Sequence, residues 1–299
     1  MSNIRTICIY HGNCADGFTA AWAARMALPK GTIFHPGHYG EAPPDVTGAD
    51  LVLVDFSYKR DVLLEMAATT RSVLILDHHK SAAADLAGFA APRTLFADHV
   101  HEATYHDGND GPYIRAVFDM DRSGAQIAWD YFHGAQRPTL VDYVGDRDLW
   151  RFKLRYSRQV SAYIFSHNYS FDRWDLLAEQ LGHGDDWNNV VFAGDAILRK
   201  HDKDVAELID VTLRYMVIGG HRVPVCNLPY TMASDAAGTL AEGNPFAACY
   251  FDRADARVFS LRSRGDFDVS AIAAAYGGGG HRNAAGFQRP IGWEGDIDA

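Results

Sequence analysis

Cysteine is scarce in this chain of 299 residues: Cys8, Cys14, Cys226 and Cys249 are all there are, and no two form a C-x-x-C pair. That spacing argues against a disulfide framework and for a reducing compartment. Long hydrophobic runs are missing too. No apolar stretch approaches the length of a membrane-crossing helix, and Met1-Ser2-Asn3-Ile4-Arg5 leads directly into a short strand without the apolar core of a signal peptide. The expectation is a cytoplasmic protein with no membrane partner. Positive charge is in deficit, with 28 Lys and Arg against 38 Asp and Glu and a formal net charge of −10. A protein that coats long duplex nucleic acid needs a basic surface to neutralise many phosphates, so that partner is not expected. A small anionic substrate remains open, because metal ions and a few arginines can reverse the potential inside one cleft.

What is present is ordinary in bulk and uneven in detail. Hydrophobic residues make up 47% and charged ones 22%, as in soluble globular proteins, and the length admits two domains. Three short apolar runs stop at acids or imidazoles. Ile7-Cys8-Ile9-Tyr10 runs into His11 and Asp16, Leu51-Val52-Leu53-Val54 into Asp55, and Leu74-Ile75-Leu76 into Asp77-His78-His79. Each reads as a buried strand, and strand ends in open α/β sheets are where chemistry collects. One Asp after a strand is often only a helix cap. Three such ends together read as a metal site, whose carboxylates suit manganese or magnesium and whose imidazoles suit later transition metals.

Between these runs the pattern predicts helices over Gly17–Met26, Lys59–Ala68 and from Ser123 to Phe132, and one beginning near Pro138. The alternation predicts a parallel sheet with crossover helices. A loop-rich insertion from Ala91 to Tyr113 carries His99, His101 and His106, a weak second metal candidate. From Trp150 to Trp174, Arg151, Lys153, Arg155 and Arg158 alternate with Phe152, Tyr156, Tyr163, Phe165 and Tyr169. Such a mix can hold phosphates and stacked bases, or can be helix packing with cations reaching past it to water. A long helix over Val190–Ile209 leads to closely spaced strands around one small-residue helix, an α+β module. That module ends in Gly277-Gly278-Gly279-Gly280-His281-Arg282-Asn283-Ala284-Ala285-Gly286-Phe287, read as an oxyanion or phosphate nest.

With these residues laid out, the chain resembles the DHH phosphoesterase family, in the branch with the DHH-associated C-terminal domain and of the nanoRNase/oligoribonuclease kind. The resemblance rests on Asp77-His78-His79, the His11-to-Gly17 stretch, Asp55, Asp146-Arg147-Asp148, Ser260-Leu261-Arg262-Ser263 and the closing glycine motif. It implies an α/β parallel-sheet DHH domain over 1–190, a linker helix over 191–210 and a smaller α+β substrate-binding domain over 211–299, with the active site in the interdomain cleft. It further implies a manganese-dependent phosphodiesterase with two ions, magnesium or cobalt being alternatives, cutting short oligonucleotides stepwise to nucleoside monophosphates. Asp55 would bridge the ions, one also held by His11 and the other by Asp16, His78 and Asp146. Asp55, His78 and His79 would be catalytic, and Arg262, Gly278, Gly279, Gly280, His281, Arg282 and Asn283 would bind substrate. Cys14 stands where the family usually has a carboxylate; as a soft ligand for a hard ion it would join the metal set with a weaker site or a softer metal, or stand by unused, with Asn13 another candidate oxygen donor. Phosphatase action on a bisphosphonucleoside, a cyclic-dinucleotide phosphodiesterase and a nucleotide sensor with a degenerate metal site are the competing readings. A homodimer is also admitted.

Overall fold

The computed structural model describes residues 4–89, 114–134, 136–182 and 186–296. The His99, His101 and His106 candidate lies outside them. The chain divides into two compact units, 1–197 and 198–299, and the division falls inside one long helix, Trp187–Thr212.

In the first unit β1 (Thr6–His11), β2 (Ile33–Gly37), β3 (Asp50–Val54), β4 (Ser72–Asp77) and β5 (Ile114–Phe118) form one sheet ordered β2-β1-β3-β4-β5, with every pairing parallel. Alternate residues of the central strands feed two cores. Cys8, Val52, Val54, Leu74 and Leu76 face one side, while Ile7, Ile9, Leu51, Leu53, Val73 and Ile75 face the other. Strands buried on both faces read as unbroken apolar runs, and that made β1, β3 and β4 visible in the sequence. The edge strand β5 carries no such run. Its Arg115 interrupts the run, and only Ile114 and Ala116 are buried.

Helices cover both faces: α1 (Ala15–Ala27), α2 (Arg60–Ala67), α3 (Lys80–Asp85), α4 (Gly124–His133), α5 (Thr139–Asp148), α6 (Ser157–Phe165) and α7 (Phe171–Gly182), followed by the long α8 (Trp187–Thr212). The start of α4 is set by a capping box, in which Ser123 accepts from the Gln126 amide and the Gln126 side chain accepts from the Ser123 amide. The strand order reverses between β1 and β3. In an open parallel sheet the crevice beyond such a switch point, at the C-terminal strand ends, is the natural ligand position. His11 ends β1 and Asp55 follows β3.

The second unit carries β6 (Arg214–Ile218), β7 (His221–Asn227), β8 (Phe246–Asp252), β9 (Arg257–Ser263), β10 (Gly279–His281) and β11 (Ala284–Arg289), in the order β10-β11-β9-β8-β7-β6. Only β7 and β8 pair in parallel; the other pairs are antiparallel. Two helices, α9 (Tyr230–Leu240) and α10 (Val269–Ala275), pack on it in separate clusters. This is the α+β module expected. Among the described residues no helix is long and apolar enough to cross a membrane.

Candidate metal centre

Each strand end delivers its side chain by a distinct local device. Asp55 sits at φ 53°, in the left-handed region that costs a non-glycine residue energy and is tolerated mainly by Asp and Asn. Its side chain rests on Gly124, the first residue of α4, where a Cβ would lie 2.4 Å from the Asp55 Cβ. Asp16, in the first turn of α1, is aimed by the Ala125 amide, which donates to its Oδ1 at 3.1 Å. Asp77 positions the imidazoles: its Oδ1 accepts from the His78 amide at 2.7 Å and lies 2.7 Å from His79 Nδ1, while Ser57 donates to its Oδ2 at 3.3 Å.

The side chains converge. His78 Nε2 lies 3.0 Å from Asp55 Oδ1, 3.5 Å from Asp148 Oδ2 and 3.7 Å from Asp16 Oδ2. Those three carboxylate oxygens are buried, and among the described residues none accepts a hydrogen bond. A buried acceptor without a donor is costly, and three around one point fit a cation. Within the first unit, potential ligand atoms fall into two sets, Asp16–Asp55–His78 and His11–Asp55–His79, each within 4.8 Å, and Asp55 belongs to both. That is the donor geometry of a carboxylate shared by two ions, and its oxygen and imidazole chemistry suits divalent metals.

Two of the candidate ligands stand outside these sets. Asp146 does not join the cluster. Its Oδ1 accepts from the Lys153 amide at 3.0 Å, and its Oδ2 from the Leu154 amide at 3.2 Å and the Ser157 hydroxyl at 2.5 Å. Asp148 takes the place expected of it: residues two apart on a helix point to opposite sides, so only one of the pair could reach the strand ends. Cys14 lies just before α1, outside both ligand sets. Burial and the Asp55, Asp148 and Asp16 charges push its thiol well above the usual range. The sequence reading also missed Tyr39, whose ring packs 5.3 Å from His11, 4.9 Å from Phe56 and 6.0 Å from His79 between centroids.

The charges oppose one another. Burial, with Asp148 and Asp55, pushes the Asp16 carboxyl well above the carboxylate range, and burial raises Asp148 too. Burial also acts upward on Asp55, but the close approach of His11 and His78 and the charges of His78 and His79 outweigh it and hold Asp55 well below. Burial disfavours the charged form of His78, yet Asp55, Asp148 and Asp16 together push its pKa up to about 10. For His79 burial is likewise outweighed, here by Asp77 and Asp55, and its pKa is raised.

Protons and cations therefore compete for the cluster. The stabilising contribution of His78 in the metal-free fold is complete below its unfolded value of about 6.5 and is lost as pH rises toward about 10. Raised Asp16 and Asp148 act in the same sense, costing stability once ionised. The metal-free protein should lose melting temperature as pH rises from about 6.5 toward 10, and the gain from an added divalent cation should grow over that range. Calorimetry with chelator and with manganese checks this; a gain independent of pH would contradict it.

A second expectation concerns Gly124. Gly124→Ala should push Asp55 off its position, cost about 1–3 kcal/mol of stability and weaken cation binding, although no ligand is removed. Unchanged calorimetric metal affinity would contradict it.

The residues expected to bind substrate lie in the second unit. Arg262 donates to Ser234 Oγ at 2.6 Å, to the Leu261 carbonyl at 2.8 Å and to Ser260 Oγ at 3.3 Å. Arg282 pairs with Asp266 at 3.0 Å, and Asn283 donates to Ser263 Oγ and the Gly265 carbonyl, both at 3.0 Å. Gly279, Gly280 and His281 run as strand β10 against β11, and a Cβ at Gly278 would lie 2.1 Å from the Gly286 carbonyl oxygen, so glycine there is required by close packing.

No family model matches the chain. It is 25% identical over 307 residues to an uncharacterized protein of Acanthamoeba polyphaga mimivirus, covering 94% of this chain and 66% of that protein's length. Among solved structures, the DHH domain of a member of a family of ribosomal proteins superposes with a TM-score of 0.54 at 14% identity, over 94% of this chain and 82% of the other. A pGpG-specific phosphodiesterase of Vibrio cholerae is 12% identical over 96% of this chain and 94% of its own, at a TM-score of 0.46. The first of these structures establishes the class: the chain has the DHH-domain fold.

Proposed function

We propose that the chain is a metal-dependent phosphoesterase that hydrolyses phosphodiester bonds in short oligonucleotides stepwise from one end, releasing nucleoside monophosphates, with manganese as the cofactor. The observation that carries this reading is the pair of ligand sets sharing Asp55, fed by three buried carboxylate oxygens that accept no hydrogen bond among the described residues. Asp16, Asp55, His78 and Asp148 would hold one ion, and His11 and Asp55 the other, with His79 beside it. Two ions held there would supply positive charge for the phosphoryl oxygens and lower the pKa of a bound water.

The chain's own residues do the rest. Asp77 fixes the His79 ring through Nδ1 and, with Asp55, favours its protonated form, so His79 donates a hydrogen bond to the phosphoryl group as negative charge builds there. Tyr39 walls the site beside His11 and His79. In the second unit Arg262 offers the planar fork suited to a phosphate, with His281 as a further donor. The net charge of −10 favours short substrates over long duplexes.

A panel of short RNA, short DNA, a bisphosphonucleoside and a cyclic dinucleotide, each with manganese, magnesium, cobalt and zinc, tests the reading. Mononucleotide release from the oligonucleotides, strongest with manganese, is expected. Turnover confined to the bisphosphonucleoside or the cyclic dinucleotide would replace the substrate assignment. Binding without any metal-stimulated hydrolysis would replace the enzyme with a sensor.

A further inference from the structure

Among the described residues of the first unit, left-handed backbone concentrates after Asp148. Trp150, Phe152 and Tyr156 adopt φ of 55°, 49° and 56°, a conformation aromatic residues rarely accept. The strain is held in place from one point. The buried Asp146 carboxylate takes the Lys153 and Leu154 amides and the Ser157 hydroxyl, and its carbonyl takes the Arg151 and Phe152 amides at 2.9 and 3.4 Å. Backbone strain kept up by a dedicated buried acid is characteristic of functional sites, because a plain connection between two helices gains nothing from it.

The composition of this turn departs from that of the chain. From 149 to 158, Arg151, Lys153, Arg155 and Arg158 are cationic and no residue is acidic, in a protein of net charge −10. All four are exposed, and among the described residues none forms an ion pair. Cations and rings are interleaved: the Arg147 guanidinium lies 4.3 Å from the Trp150 ring, Arg158 4.6 Å from Phe152 and Arg155 4.8 Å from Tyr156. Tyr156 is 40% exposed and Leu154 37%, so the turn offers apolar surface alongside its charges. Alternating flat rings and cations on a rigid backbone are what single-stranded nucleic acid requires, rings for bases and cations for the linking phosphates. The turn begins immediately after Asp148, one of the three acids around His78.

The geometry points to a nucleotide-binding ledge over 149–158 that carries bases and phosphates of a short single strand beyond the bond being cut. It rests on the reading that phosphoester bonds are cut at the Asp16–Asp55–Asp148 cluster. The ledge would make an oligonucleotide a better substrate than any ester lacking neighbouring nucleotides.

The test uses the full chain, a fluorescent pentanucleotide and bis(p-nitrophenyl) phosphate. Lys153→Ala/Arg155→Ala removes two exposed charges without touching Asp146. It should weaken pentanucleotide binding, read by anisotropy in chelator, by about tenfold, and should reduce the slope of log affinity against log salt by about 1.4, the value for two lost phosphate contacts on a single strand. With metal present, the ratio of kcat/KM for the pentanucleotide to that for the aryl diester should fall by a similar factor. Trp150→Ala should lower pentanucleotide affinity by about tenfold and leave the salt slope as in the parent, since stacking releases no counterions. Pentanucleotide affinity and salt slope unchanged in both variants would overturn the ledge. Equal losses on both substrates would overturn it too, by showing that the turn acts through the acid cluster. If the parent hydrolyses neither substrate, the phosphoesterase reading fails, and the anisotropy and salt slope still decide the ledge.

Discussion

Asp55→Asn is expected to abolish metal-dependent hydrolysis, lowering kcat/KM on the order of 10³-fold or more, equivalent to at least about 4 kcal/mol of transition-state stabilisation. Asp55 is the residue common to the Asp16–Asp55–His78 and His11–Asp55–His79 sets, and a neutral amide cannot bridge two dications whose repulsion its charge would offset. Asparagine is the cleanest replacement because the backbone there, at φ 53°, is a conformation Asn accepts. Folding should persist. The variant gives up the attraction of Asp55 for His11, His78 and His79, so its melting temperature in chelator should fall while one cooperative transition remains. Kinetics with manganese, together with a melting curve in chelator, decide the matter. Activity within a few-fold of the parent would remove Asp55 from the bridging role.

The second large effect separates two acids on one helix. Asp148→Asn should lower metal affinity and kcat/KM by at least about 10²-fold and leave the fold intact, since the Asp148 Oδ2 is a buried oxygen that accepts no hydrogen bond among the described residues and lies 3.5 Å from His78. Asp146→Ala should do the reverse to the fold. It strands the Lys153 and Leu154 amides and the Ser157 hydroxyl, at a cost of about 2–4 kcal/mol, and each kcal/mol lowers Tm by about 2–4 °C in a unit of this size. Calorimetry and metal titration on both variants give a clear reading. Metal affinity lost with Asp146 and kept without Asp148 would reverse the assignment.

The same pair shows where the sequence stops being informative. Strands β1, β3 and β4 were legible because burial on both faces writes an uninterrupted apolar run, and His11, Asp55, His78 and His79 were legible because they end or follow those runs. Asp16 was found by its closeness to His11. Asp148 and Asp146 have the same chemistry two residues apart, and which faces the strand ends depends on the phase of α5 against the sheet, a tertiary property. Tyr39 comes from the connection between β2 and β3, where no periodicity marks a wall residue. The glycine run was visible, but its reason was not. Glycines that cradle an anion and glycines that let β10 pack on β11 look alike until the strand pairing is known. Strand β5 escaped because an edge strand alternates weakly and Arg115 breaks its run.

The central claim is that one carboxylate serves two cations, and the most direct measurement is manganese electron paramagnetic resonance on the parent chain, titrated to saturation alongside equilibrium dialysis. Two ions per chain and the broadened, multi-line spectrum of an exchange-coupled manganese pair are the predicted result, because a bridging carboxylate brings the ions close enough to couple. One ion per chain, or two giving the six-line spectrum of isolated manganese, would contradict it.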